Sequence, residues 1–137
     1  MMIADTSIDA IPAVAEIRAR VLIVDDSPSF RKMVSFVLKE GGCEVIEASD
    51  ANQAITSMER AEFDVVLADH HLPGTDGVML IAQIRSRTAS SSIPIVMLTT
   101  ETSEDMKAAA RAAGATAWMA KPFEPGRLLA LIEQVVV

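Results

Sequence analysis

The feature that most constrains this chain is a strict alternation. Five short apolar runs recur between segments of helical periodicity, and most end in a charged or hydroxyl residue. The runs are RVLIV (Arg20–Val24), EVIEA (Glu44–Ala48), DVVLA (Asp64–Ala68), IVML (Ile95–Leu98) and TAWM (Thr116–Met119). Runs this short, rich in β-branched residues and bounded by turn signals, read as buried strands, and EVIEA alternates and reads as a strand as well.

The intervening segments carry helix start and stop signals. Ser27 offers an N-cap, Pro28 suits the first helical position, and Phe30, Met33, Val34, Val37 and Leu38 follow at helical spacing until Gly41-Gly42. Asp50 with Gln53 forms a capping-box pattern ahead of Ala54, Ile55 and Met58. Asp76 before Gly77 opens a third helix marked by Leu80, Ile81 and Ile84. Ser103 caps a fourth, rich in alanine and closed by Gly114; Leu128, Leu131, Ile132 and Val135 mark the fifth. Five strand–helix pairs in this order predict an α/β fold, a parallel sheet with helices on both faces. Right-handed crossovers make it doubly wound.

A chain of 137 residues fits one such domain, placed at residues 19–137. Residues 1–18 pattern weakly (Ile8, Ile11, Val14, Ile17, broken by Pro12) and read as an N-terminal extension. With no second folded domain expected, any output would come from this domain's own surface. The net charge of −7 comes without a Lys/Arg cluster, which argues against nucleic acid and anionic membrane surfaces as partners. No apolar run is long enough to span a bilayer, and Asp5, Asp9 and Pro12 make a poor secretory signal. The lone Cys43 cannot form an internal disulfide and reads as a small residue entering a strand. The expectation is a soluble cytoplasmic protein.

In open α/β sheets, ligands bind beyond the carboxyl ends of the strands. Asp25-Asp26 follow the first strand, Asp69 the third, Thr99 the fourth and Lys121 the fifth. If those strands are neighbours, the side chains converge. Crowded carboxylates repel one another, and a hard cation such as Mg²⁺, which takes oxygen ligands and keeps several waters, relieves the conflict. Such a cation would let Asp69 approach a phosphoryl group, with Lys121 and Thr99 directed at its oxygens. Taken singly, each residue has an ordinary role: Asp25 a helix cap, Thr99 a strand residue, Lys121 a solvated surface charge. Their coincidence at four strand ends favours a functional site.

The ordered set VDDSPSFRK, VLADHHLPGTDG, MLTTE and AKPF, spread from Arg20 to Val137, resembles the receiver domain of two-component response regulators, the stand-alone CheY-like type in particular. The resemblance implies a flavodoxin-like five-stranded sheet of order 2-1-3-4-5. It implies Asp69 as phosphoacceptor, Asp26 and Asp69 as direct Mg²⁺ ligands, and Asp25 acting largely through water. The backbone carbonyl of His71 supplies a further ligand, Thr99 the switch hydroxyl and Lys121 the phosphate-binding ammonium. A cis peptide is implied at Lys121–Pro122. The phosphodonor would be a histidine kinase or histidine phosphotransfer protein. Output to a downstream protein target would leave from the fourth helix, fifth strand and fifth helix. Such a domain is a phosphoacceptor switch with slow autodephosphorylation, not an enzyme.

Two features depart from the pattern. His70 and His71 form a bulky pair beside the acceptor. Zinc binding by their side chains is an alternative, disfavoured because adjacent residues on a turn rarely aim at one ion. Trp118 stands where the family usually has a rotating Tyr or Phe. Three other readings fit less well. A receiver-like interaction module would not need the intact Asp25, Asp26, Asp69, Thr99 and Lys121. A dehalogenase-like phosphatase would need Asp where Ser27 stands. A flavodoxin would need a hydroxyl- and Gly-rich phosphate loop where this chain has two carboxylates.

Overall fold

The computed structural model describes residues 16–87 and 92–136. Most of the expected extension and the middle of the Ser-rich loop read at Arg87–Ser92 lie outside the described residues. Strands β1 (Arg20–Val24), β2 (Glu44–Ala48), β3 (Val65–Ala68), β4 (Ile95–Thr99) and β5 (Ala117–Ala120) form one sheet in the order β2-β1-β3-β4-β5, every pair parallel. Helices α1 (Pro28–Glu40), α2 (Ala51–Arg60), α3 (Gly77–Arg85), α4 (Glu104–Ala113) and α5 (Pro125–Val135) connect and follow them. This is the doubly wound fold that the alternation and the resemblance predict.

Four strand edges shift by one residue: β4 takes in Thr99 and β5 takes in Ala120, which pair with each other, while at two strand starts a carboxylate and a hydroxyl take over where the ladder was expected. Asp64 lies outside β3, its carboxylate accepting the Arg20 N–H at 2.8 Å. Thr116 lies outside β5, its hydroxyl accepting the Ile95 N–H at 3.0 Å. HHLPGTDG, which reads as turn chemistry, also contains a small antiparallel ladder pairing His71–Leu72 with Thr75–Asp76.

The period of two along each central strand divides the core into two layers. Leu22, Val24, Val66, Ala68, Ile95 and Met97 face Ala54 of α2, Leu80, Ile81 and Ile84 of α3, and Met106 and Ala110 of α4. Val21, Ile23, Val65, Leu67, Val96 and Leu98 face Val34, Val37 and Leu38 of α1 and Leu128 and Ile132 of α5. Burying each large aliphatic side chain contributes about 1.5–3 kcal/mol. The edge strand β2 is different: Ile46 is 43% exposed and Glu47 is exposed, so EVIEA does not divide cleanly into an inner and an outer face. Glu47 is instead held by Arg31 and Ser35 of α1.

Helix starts follow the sequence signals. Ser27, Asp50, Asp76 and Ser103 accept from the N–H groups of Phe30, Gln53, Met79 and Met106 respectively. The return bond of the second cap differs from a standard capping box: Gln53 accepts from Ser49, one residue before the cap. Gly114 ends α4 in the left-handed region at φ 113°, and its carbonyl accepts two bonds from the Arg85 guanidinium, which also reaches the Ile93 carbonyl. Arg85 thus ties the end of α3 to the α4–β5 turn. Cys43 is buried, and burial raises its thiol pKa, in keeping with a structural residue. No helix among the described residues is long and apolar enough to cross a membrane.

Candidate functional site

Sheet register brings the strand ends together. Val24 of β1 pairs with Ala68 of β3, so Asp25 and Asp69 emerge side by side, and the Asp69 N–H donates to the Val24 carbonyl at 3.0 Å. Thr99 of β4 pairs with Ala120 of β5, so Lys121 emerges next to it, and the Lys121 N–H donates to the Thr99 carbonyl at 2.9 Å. Carboxylate oxygens of Asp25, Asp26 and Asp69 lie within 4.8 Å of one another. Asp25 is buried, Asp26 is exposed, and Asp69 lies between them in exposure. A graded mouth of this kind leaves Asp69 reachable from solvent while Asp25 lies at the bottom.

The Lys121 ammonium sits inside this acidic group, 2.7 Å from Asp25 Oδ2 and 3.4 Å from Asp69 Oδ2. Its peptide bond to Pro122 is cis, as the resemblance implies. The same ammonium lies 3.9 Å from the centroid of the Phe30 ring. The other oxygen of Asp25 accepts the Ser27 N–H at 2.8 Å, a turn ahead of α1, whose cap is Ser27 and not Asp25. Arg31 braces the same corner, donating to the Asp25 carbonyl at 2.6 Å and to Glu47 at 3.1 Å. Phe30 and Arg31 were not singled out as site residues from the sequence. Their position in the first turn after Asp25-Asp26 was the available signal.

The Thr99 side chain is fully buried, and its hydroxyl accepts the Glu101 N–H at 3.0 Å. Gly77 is fixed by close approach. A Cβ there would overlap the Asp69 carbonyl oxygen, and the Gly77 N–H donates to the His70 carbonyl at 2.6 Å. The His70 and His71 rings are 4.6 Å apart at 62°, with His71 exposed. Among the described residues, the group with metal-ligand spacing is Asp25, Asp26 and Asp69, and neither histidine joins it.

The donor set fits a hard divalent cation. Three carboxylate oxygens converge on a space that already draws in one ammonium, and they carry more negative charge than Lys121 neutralises. All-oxygen chemistry excludes a preference for soft metals.

A family model described as the response regulator receiver domain matches residues 21–133. The chain belongs to that family. The phosphate regulon transcriptional regulatory protein PhoB of Escherichia coli is 34% identical over 117 residues, covering 85% of this chain and 51% of PhoB. The chain therefore spans about half the length of the curated relatives it matches. The chemotaxis response regulator CheY4 of Vibrio cholerae has a solved structure with 41% identity and a TM-score of 0.82, covering 87% of this chain and 99% of that one. The receiver domain of sensor histidine kinase PA1611 from Pseudomonas aeruginosa, solved with a magnesium ion coordinated in its active-site cleft, is 28% identical with a TM-score of 0.80, covering 88% of this chain and 98% of that one. Residues 21–133 thus form a receiver domain of the CheY-like fold, homologous to response regulators of two-component phosphorelay signalling, with an acidic pocket compatible with Mg²⁺.

Proposed function

We propose that Asp69 accepts a phosphoryl group from a histidine kinase or histidine phosphotransfer protein, and that the domain then signals to a protein target through α4, β5 and α5. The observation that carries this reading is the Asp69 carboxylate at the mouth of the pocket, beside two further carboxylates and 3.4 Å from the Lys121 ammonium. We assign Asp26, Asp69 and the His71 backbone carbonyl as direct Mg²⁺ ligands, with Asp25 acting through water. We read the domain as a cytoplasmic switch, slow to lose its phosphoryl group, and not as a turnover enzyme.

In transfer from a phosphohistidine, an Asp69 oxygen forms the new O–P bond as the N–P bond breaks. The N–P electron pair stays on the imidazole nitrogen, which takes a proton from solvent. Mg²⁺, when bound, supplies positive charge to the carboxylate and phosphoryl oxygens so that two anionic reactants can meet. Lys121 turns from Asp25 toward the phosphoryl oxygens, a short displacement because its ammonium already lies near Asp69. The Thr99 hydroxyl, to donate to a phosphoryl oxygen, gives up its bond from Glu101. That exchange passes the event to the segment leading into α4.

Incubation with acetyl phosphate and Mg²⁺ should add one phosphoryl group, as an acyl phosphate labile to base and hydroxylamine. Asp69→Asn should abolish the gain. Equal labelling of the Asn variant would refute the acceptor assignment.

A further inference from the structure

The Lys121 ammonium is held by more than its two carboxylates. Its third contact is the face of Phe30, at 3.9 Å from the ring centroid, close for a cation over an aromatic ring. Phe30 is half-buried, and Phe123 packs against it edge-on, with ring centroids 6.1 Å apart and planes at 88°. Phe123 follows Lys121 by two residues, so the Lys121-Pro122-Phe123 segment engages Phe30 twice, through the ammonium and through the second ring. Phe30 also donates its N–H to the Ser27 cap, which fixes the start of α1 over the pocket.

From this arrangement we infer that Phe30 is the positioning residue for Lys121 in phosphoryl transfer. The inference rests on the reading of Asp69 as acceptor and Lys121 as the phosphoryl-binding cation. A carboxylate holds an ammonium at one or two points, whereas a ring face attracts it over an area. The ammonium can therefore turn from Asp25 Oδ2 toward a group on Asp69 while staying over Phe30. The ring also fills space that water would otherwise occupy, and exclusion of water strengthens the charge interactions of Lys121 within the pocket. An aliphatic side chain of similar size fills the space but offers no such face. Phe30→Leu thus separates positioning from packing.

The test has two readouts on the whole chain. The first is the ring-current shift of the Lys121 ε-methylene protons in metal-free protein: upfield in the native chain and in Phe30→Tyr, and lost in Phe30→Leu. The second is the rate of Asp69 phosphorylation by acetyl phosphate with saturating Mg²⁺, in which the carboxylate displaces acetate from phosphorus with no net proton transfer. Phe30→Leu should lower that rate about tenfold, an energy at the scale of one desolvated cation–π contact. Phe30→Tyr should stay within about twofold of the native chain. In a Lys121→Ala background, Phe30→Leu should change the rate less than about twofold, because contacts that act as a unit do not add. An equal loss in both backgrounds, an equal loss with Tyr, or a native shift pattern in Phe30→Leu would each overturn the inference. If the native chain takes no phosphoryl group at all, the acceptor reading falls with it. If the native chain is labelled and Phe30→Leu is indifferent, only the role of Phe30 falls.

Discussion

Two lysines in this domain lie over aromatic rings, and their surroundings give the same contact different consequences. Lys121 lies 3.9 Å from the Phe30 centroid and Lys107 lies 4.2 Å from that of Trp118. Lys121 faces carboxylate side chains that are 3% and 12% exposed; the ion-pair partner of Lys107, Glu104, is 91% exposed at 3.4 Å. Charges meeting outside water attract more strongly than the same charges in it, so the first contact is firm and the second weak. The elements beneath them differ in the same sense. Lys121 follows a strand bonded to β4, whereas Lys107 rides on α4, whose buried residues are Met106 and Ala110. One lysine is held firmly at the site, with room only to turn between Asp25 and Asp69. The other is a latch on a lightly anchored helix.

The largest effect should separate the two lysines. Lys121→Ala should lower Asp69 phosphorylation about a hundredfold, the scale of losing one preorganised charge-stabilising group. Lys107→Ala should change it less than about twofold. Comparable losses measured by phosphoryl incorporation would break the contrast. Next in size is the metal. Asp26→Asn should weaken Mg²⁺ binding by more than tenfold, and Asp25→Asn by about tenfold, the usual scale for an outer-sphere group. Asp25 is also the nearest partner of Lys121, so its loss frees the ammonium to compete at Asp69. Titration with Mg²⁺ showing no change for either variant would mean that the ion binds elsewhere.

A smaller effect should show in stability. Ile81 on α3 is fully buried among the side chains of the first layer, and Ile81→Ala should cost about 2–5 kcal/mol of global stability. Met106→Ala should lie at or below the low end of that range and act mainly on α4. Amide exchange across residues 104–113 should speed up more than the denaturation midpoint falls. An equal global loss from both variants would show that α4 is docked as firmly as α3.

Much of this molecule is written in local signals, and the remainder depends on register. Ser27, Asp50, Asp76 and Ser103 could be read as caps because a cap and its target are three residues apart. The strand ends could be read because an apolar run ending in Asp, Thr or Lys needs no partner to be seen. Arg85 gave no such signal. Its bonds reach Gly114, 29 residues away, and depend on how α3 packs beside the α4–β5 turn. Phe30 read as an ordinary core position at helical spacing. Its contact with Lys121 exists because β1 and β5 lie on opposite sides of β3 and β4 yet open onto one pocket. Ile46, 43% exposed, shows the opposite case, since the pattern of an edge strand does not reveal which of its side chains is left uncovered.

The smallest effect is optical, and it tests whether the latch moves. Trp118 pairs in register with Met97, two residues before Thr99 on the neighbouring strand, and the Lys107 ammonium lies over its ring. When the Thr99 hydroxyl leaves Glu101 for a phosphoryl oxygen, the segment leading to the Ser103 cap loses one of its ties. Alanines at 108, 109, 112 and 113 keep α4 helical but add little burial, so its docking can shift for a few kcal/mol. The ammonium then moves relative to the indole, and Trp118, the only tryptophan, should change its emission on phosphorylation or with a beryllofluoride mimic. Thr99→Ala should leave Asp69 able to take the phosphoryl group while removing the emission change. Lys107→Met, which keeps the bulk and drops the charge, should shift the resting emission and shrink the response without altering phosphoryl incorporation. Unchanged emission on full phosphorylation, together with unchanged exchange across residues 103–113, would mean that α4 holds one position in both states and that Lys107 is no latch.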